Sequence, residues 1–259
     1  MLPSWIVVGA QRSGTSSLYE YLVSHPSVRR AATEEIHYFD NNYQRGMKWY
    51  QGHFAARWPG KLQQGGDATT GEATPYYMAH PLALGRVAHD LPEVKILVVL
   101  RNPVDRAYSH FQHERALGRE PVASFAEALD REPERLAGEA ERMRAEPTYY
   151  SFAHQNFSYV MRGYYAQQME QVLALFPRRN VMVLASERLA RQTLEVYEEV
   201  LGFLGLSRYA LRRFPKYSAL RYPPLDAAVR ARLQAVFAPE NERLFRLIGA
   251  DYGWNRLGG

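Results

Sequence analysis

Cysteine is absent from the sequence. That excludes disulfides, thiolate metal sites and a cysteine nucleophile in one step, and it is compatible with a reducing compartment. Long apolar runs are missing too. No window approaches the ~18 consecutive apolar residues of a membrane span. The start of the chain, Met1 to Val8, lacks a basic stretch followed by a long apolar segment, so it does not read as a secretory signal. A cytoplasmic location with no membrane span is the expectation. Lysine is scarce, and nearly all of the 32 basic residues are Arg. The planar Arg fork suits bidentate contacts to phosphate or sulfate. The net charge of +5 suits any polyanionic ligand. The basic residues are scattered, however, and no nucleic-acid-binding motif accompanies them. No metal-ligand spacing, internal repeat or low-complexity linker is present either.

What is present alternates strand and helix. Trp5-Ile6-Val7-Val8 is a short apolar run ended by Gly9, the pattern of a buried parallel strand. A helix is predicted from about Thr15 to Ser24, stopped by Pro26. Residues 31–58 are polar and aromatic and read as loop with short helices. Asp67 to Thr74 reads as a strand. Val94 to Leu100 is the clearest strand, broken at Arg101-Asn102-Pro103 and followed by a helix to about Leu117. Residues 121–147 read as an amphipathic helix and a solvated stretch. A helix from Tyr159 to Phe176, a strand from Val181 to Leu184, a helix from Gln192 to Leu204 and helices over 226–248 complete the chain. Such alternation predicts an α/β fold, a P-loop-like central parallel sheet flanked by helices on both faces. The chain reads as one domain over residues 1–259.

The segment Gly9-Ala10-Gln11-Arg12-Ser13-Gly14-Thr15-Ser16 lies between a strand and a helix, where α/β folds bind phosphate. Backbone N–H groups and the positive end of the helix dipole converge there. Thr15, Ser16 and Ser17 add hydroxyl donors in the first turn. The loop resembles a Walker A motif, but Thr15 follows Gly14 directly and the Lys of that motif is missing. Arg12, inside the loop, is the available cation. A plain strand–turn–helix junction capped by Ser13 or Thr15 is the competing reading.

A second candidate anion site follows the strand ending at Leu100. Arg101 stands at the carboxyl end of that strand, where ligands of open α/β sheets bind. Ser109 falls about two turns into the next helix. The alternative pairs Arg101 with Asp105 or Glu114 and makes Ser109 a packing residue. Two separated anion sites imply a ligand phosphorylated at two places.

At this point the sequence resembles the PAPS-dependent sulfotransferases, which use 3'-phosphoadenosine 5'-phosphosulfate as sulfuryl donor. The loop "GAQRSGTSSL" is similar to their 5'-phosphosulfate loop. The stretch "LRNPVDRAYSHF" is similar to their 3'-phosphate motif. The resemblance is closest to the sulfotransferase domains of heparan sulfate biosynthesis and their bacterial relatives, through "TEEIHYFD", "YQRGMKWY", "GEATPYYM", "GYYAQQMEQVLALFP", "VLASERL" and "RYPPLD". It implies the sulfotransferase fold, PAPS as co-substrate with PAP as product, and no metal.

Carried over position by position, the family's loop cation falls on Arg12 and its catalytic Glu on Glu35. Its 3'-phosphate Arg and Ser fall on Arg101 and Ser109. The imidazole often found two residues after the Glu is His37. Ser13, Gly14, Thr15, Ser16 and Ser17 complete the implied phosphosulfate loop. There are departures. The loop cation is Arg and not Lys. The late Lys-Gly-Arg segment reads Ser218-Ala219-Leu220, leaving Arg221 as the remaining cation for the 3'-phosphate. With cysteine absent, these differences point to a soluble bacterial enzyme.

The implied reaction is in-line sulfuryl transfer to a hydroxyl or amine, with Glu35 as general base. A solvated acidic pair, Glu34-Glu35, is the ordinary reading of those two residues without the resemblance. A sugar hydroxyl, an amino sugar, an acyl-chain hydroxyl and a natural-product phenol all fit as acceptor. The aromatics Tyr38, Phe39, Trp49, Tyr50, Tyr76, Tyr77, Tyr164 and Tyr165 line an acceptor cleft or fill the core. Two other classes compete: a P-loop kinase of a small metabolite, and a non-enzymatic binder of nucleotide or RNA.

Overall fold

The computed structural model describes residues 1–54, 68–211, 213–215 and 222–256. Its elements run in chain order as β1 (Trp5–Gly9), α1 (Thr15–Val23), β2 (Val28–Arg29), α2 (Met47–Gln51), β3 (Thr69–Ala73), α3 (Ala83–Asp90), β4 (Lys95–Leu100) and α4 (Pro103–Ala116). They continue as α5 (Phe125–Leu136), α6 (Glu139–Ala145), α7 (Phe152–Asn156), α8 (Tyr165–Leu175), β5 (Val181–Ala185), α9 (Ser186–Arg191), α10 (Thr193–Leu204) and α11 (Ala227–Ile248). The chain divides into two units, residues 1–100 with 175–218, and residues 101–174 with 219–259.

The first unit holds a five-stranded sheet in the order β2-β3-β1-β4-β5, with every pairing parallel. Parallel pairing needs both faces covered, and the strands are apolar accordingly. Trp5, Val7, Leu97, Val99 and Leu184 pack against Leu18 and Leu22 of α1, Leu189 of α9, and Val196 and Val200 of α10. The alternate residues Ile6, Val8, Ile96, Val98 and Leu100 are just as fully buried. Burying a Val, Leu or Ile side chain contributes about 1.5–3 kcal/mol, so the packing of this sheet stabilises the first unit strongly. Gly71 is required in β3, because a Cβ there would lie 2.1 Å from the Trp5 ring.

β1 is central. The chain leaves it on one side for β2 and β3 and on the other for β4 and β5. Connections of an open sheet that diverge in this way leave a crevice beyond the carboxyl end of the strand. The loop that begins at Gly9 therefore starts at the position where such sheets bind ligands.

The second unit is helical. Val104, Ala107 and Phe111 of α4 pack with Phe125, Ala128 and Leu129 of α5, Tyr159, and Leu233 and Phe237 of α11. Two buried charges organise its turns. Arg106 donates to the Tyr159 carbonyl. Glu132 accepts the N–H groups of Val160 at 2.8 Å and Met161 at 2.9 Å.

Several boundaries differ from the sequence reading. Residues 121–147 form two helices, because Gly138 takes a left-handed conformation (φ 74°) between α5 and α6. In place of separate helices over 226–248, Ala227–Ile248 form one 22-residue helix, α11, with Asp226 as its N-cap. The predicted helix from Tyr159 begins with a short 3₁₀ turn at Met161–Gly163 and becomes α-helical at Tyr165. β2, α3, α7 and α9 were not anticipated. Among the described residues, no helix is long and apolar enough to cross a membrane.

Candidate active site

The loop after β1 is held tightly against its neighbours. Ala10 donates its N–H to the Val99 carbonyl at 2.7 Å, and Met78 donates to the Val8 carbonyl at 2.9 Å. A Cβ on Gly9 would meet the Met78 side chain at 2.7 Å, so glycine is needed for the close approach. Arg12 adopts a left-handed φ of 66°, which a non-glycine residue takes only at an energetic cost. Gly14 follows with φ 94° and is the N-cap of α1.

No side chain caps α1, and its first turn carries no acidic residue. The capped junction weighed from the sequence is therefore not what forms. The first-turn N–H groups of a helix have no intrahelical acceptor, and here they stand beside Thr15, Ser16 and Ser17. Ser13 is fully buried, and its hydroxyl has no hydrogen-bond partner. An anion at this helix end would meet first-turn backbone N–H groups and a positive dipole end. The phosphosulfate loop read from sequence, Arg12 through Ser17, is thus one contiguous structure suited to an anion.

After α1 the chain is anchored by Tyr19, whose hydroxyl accepts the Ala31 N–H at 3.1 Å. It then reaches Glu35 and His37, each with a left-handed φ of 53°. Among the described residues, the only non-glycine positions with positive φ are Arg12, Glu35 and His37. Such strain persists only where surrounding contacts over-determine the backbone.

The two side chains meet. His37 Nε2 lies 3.3 Å from Glu35 Oε2, and His37 Nδ1 lies 2.6 Å from Asp40 Oδ2. The Glu35 carboxylate is 42% exposed, His37 is 22% exposed and Asp40 is completely buried. Burial, the largest single effect on His37, disfavours the imidazolium. The hydrogen bonds and charges of Asp40 and Glu35 together outweigh it and push the pKa up to about 10. The imidazole is therefore protonated at neutral pH and donates from both nitrogens. Glu34 and Glu35 are both exposed, and Glu35 is set apart by its contact with the His37 imidazole.

Asp40 is a buried acid of this cluster that the sequence did not point to. A second is Glu72 on β3, which is fully buried. Its carboxylate accepts Tyr50 Oη at 2.5 Å and Thr74 Oγ1 at 2.7 Å. Burial pushes its pKa up to about 7; the Tyr50 and Thr74 hydrogen bonds oppose that rise, and the Asp40 charge adds to it. Tyr38, Phe39, Tyr50, Tyr76, Tyr77 and Tyr165 are buried. The core reading of the aromatic residues therefore holds for them, while Trp49 and Tyr164 are half-buried.

Arg101 and Ser109 belong to the second unit. Arg101 directly precedes α4, whose N-cap Asn102 accepts the Val104 N–H at 3.0 Å, with Pro103 in the first turn. Tyr165 Oη donates to the Arg101 carbonyl at 3.1 Å. Ser109 is buried in α4. The acids considered as partners for Arg101 are engaged with other residues: Asp105 pairs with Arg230 at 2.8 Å, and Glu114 with Arg119 at 3.3 Å. Arg221 lies outside the described residues, as do Ser218, Ala219 and Leu220.

Comparison with known proteins bears on the family and the fold. The sulfotransferase domain profile matches residues 2–222. Heparan sulfate glucosamine 3-O-sulfotransferase 6 of Mus musculus is 29% identical over 285 residues, covering 98% of this chain and 74% of that protein. The human bifunctional heparan sulfate N-deacetylase/N-sulfotransferase 3 is 28% identical, covering 95% of this chain but 30% of that protein. The crystal structure of a sulfotransferase from Alicyclobacillus acidocaldarius is similar with a TM-score of 0.74 and 30% identity, covering 99% of this chain and 100% of that one. The parallel sheet, the uncapped helix end after β1 and these matches along nearly the whole chain lead to one conclusion: the protein belongs to the sulfotransferase family and is a sulfuryl-transferring enzyme.

Proposed function

We propose that the enzyme takes its sulfuryl group from PAPS and delivers it to a hydroxyl or amine of a carbohydrate acceptor, with Glu35 as the general base. The observation that carries this reading is the line Glu35–His37–Asp40, in which a protonated imidazole bridges a solvent-reaching carboxylate and a buried one. An imidazole with a pKa of about 10 already holds its proton at neutral pH and is unavailable as a base. Glu35 is then the group able to take a proton.

In the proposed reaction the acceptor oxygen or nitrogen forms a bond to sulfur as the bond from sulfur to the phosphate oxygen breaks. Glu35 takes the acceptor proton. The charge growing on the leaving phosphate falls to the α1 N-terminus, Thr15, Ser16 and Arg12. His37 orients the Glu35 carboxylate, and Asp40 holds the imidazole in place. Arg101 and Ser109 are assigned to the 3'-phosphate on their sequence motif. The carbohydrate acceptor is favoured because relatives covering most of this chain are glucosaminyl sulfotransferases.

The donor assignment is tested by calorimetry with PAP and AMP on the wild type and Arg101→Ala. PAP binding tighter than AMP is expected, with Arg101→Ala costing about 1.5–3 kcal/mol of PAP affinity and leaving AMP unaffected. Equal affinity for the two nucleotides in the wild type contradicts the assignment.

A further inference from the structure

The backbone of residues 37–42 is fastened from several directions. The Tyr77 hydroxyl accepts the N–H of Tyr38 at 2.9 Å and that of Phe39 at 3.4 Å. Arg86 of α3 donates to the carbonyls of Phe39 at 2.8 Å and Asp40 at 3.0 Å. Asn42 Nδ2 donates to the His37 carbonyl at 2.9 Å. The Asn41 N–H donates to Asp40 Oδ1 at 2.6 Å. Behind Tyr77 stands Glu72, with Oε1 and Oε2 at 3.3 and 3.4 Å from the Tyr77 hydroxyl.

We infer that Glu72, acting through Tyr77, is a positioning residue for sulfuryl transfer: it fixes the backbone between His37 and Asp40 and so sets the Glu35–His37–Asp40 line. The inference rests on the proposed role of Glu35. The chemistry of the donors supports it. When ionised, Glu72 only accepts hydrogen bonds, and Tyr50, Thr74 and Tyr77 then each turn a hydroxyl proton toward it. With its proton so directed, the Tyr77 oxygen presents lone pairs to the two backbone N–H groups. An apolar residue in place of Glu72 would leave that hydroxyl free to rotate.

A buried carboxylate is also an expensive way to fill a core. Well-packed apolar side chains of similar volume are often as stable or more so. Glu72 therefore has a use beyond packing, and what it touches is the backbone support of His37 and Asp40. His37 ends, and Asp40 closely follows, the strained stretch in which Glu35 and His37 have φ 53°. Holding such a conformation needs contacts on both the N–H and the carbonyl side, and Tyr77 and Arg86 supply one each.

The experiment compares Tyr77→Phe with wild type, reading the His37 pKa by imidazole NMR together with kcat, KM for PAPS, PAP affinity and Tm. The groups that set the His37 charge are Glu35 and Asp40 beside it, and the Asp40 charge also reaches Glu72 on β3. Loosening the loop is expected to lower the His37 pKa and to reduce kcat by roughly 10–10²-fold, the cost of a small misplacement. KM for PAPS and PAP affinity should stay within about twofold of wild type, since Tyr77 supports the loop of the base. Glu72→Gln, of equal volume, should act in the same direction and serves if Tyr77→Phe does not fold. A lowered Tm with the His37 pKa and kcat at wild-type values overturns the inference and makes the network a packing feature. Glu35→Gln measured in parallel keeps the two claims apart: full turnover there sinks the base assignment, while the His37 pKa in Tyr77→Phe still reports on the positioning.

Discussion

His37 donates from Nδ1 to the completely buried carboxylate of Asp40 at 2.6 Å, and its other nitrogen faces the partly exposed Glu35. One imidazole therefore couples a charge in the core to a carboxylate that reaches solvent. The two partners raise its pKa from 6.5 to about 10 against the effect of burial. This favours the imidazolium at neutral pH, the form in which His37 is proposed to orient Glu35.

The coupling predicts a pH dependence of stability. A folded-state pKa above the unfolded one means that the folded protein holds the proton more tightly. The stabilisation is complete below about pH 6.5 and is lost as pH rises through about 10. Asp40→Asn removes the main partner of the imidazolium. The difference in Tm between wild type and Asp40→Asn should shrink steadily from pH 7 to pH 10.5. A difference independent of pH over that range would show that His37 is not held charged by Asp40.

Arg12 supplies a separate test, because its side chain and its backbone make different demands. The side chain is proposed to stabilise charge on the leaving phosphate, so both Arg12→Ala and Arg12→Gly should lower kcat more than they weaken PAPS binding. The φ of 66° strains alanine but suits glycine, so Arg12→Gly should be the more stable variant by roughly 1 kcal/mol. Stopped-flow binding, steady-state turnover and thermal unfolding of both variants read these quantities. Loss of affinity with full turnover at saturation would make Arg12 a ground-state anchor.

The loop between β1 and α1 was legible in the sequence because its parts are contiguous. A strand run, two glycines and three hydroxyl residues at the start of a helix specify it within about a dozen positions. β1, β4 and α4 were legible because Ile, Val and Leu runs end sharply at Gly9 and at Arg101-Asn102-Pro103. Asp40 was not legible. Three residues after His37 it looks like a surface acid, and only the left-handed turns at Glu35 and His37 bring it back against the imidazole. Glu72 was hidden for a different reason. A Glu in a short strand suggests an exposed edge, but β3 lies between β2 and β1, and its partners Tyr50 and Tyr77 come from separate segments. The one available signal was the density of tyrosines around residues 38–50 and 76–77, since buried tyrosine hydroxyls need acceptors. β2 has two residues, too few for any periodicity.

Turnover of Glu35→Gln at saturating PAPS with a sulfate-accepting glucosaminyl oligosaccharide, measured beside Glu34→Gln and His37→Ala, tests the central claim most directly. Gln keeps the size of Glu35 but cannot take a proton at neutral pH. The account predicts a rate loss of roughly 10²–10⁴-fold for Glu35→Gln, near wild-type PAP affinity in that variant, and a mild effect of Glu34→Gln. Near wild-type turnover in Glu35→Gln together with abolished turnover in His37→Ala would contradict it and make His37 the base.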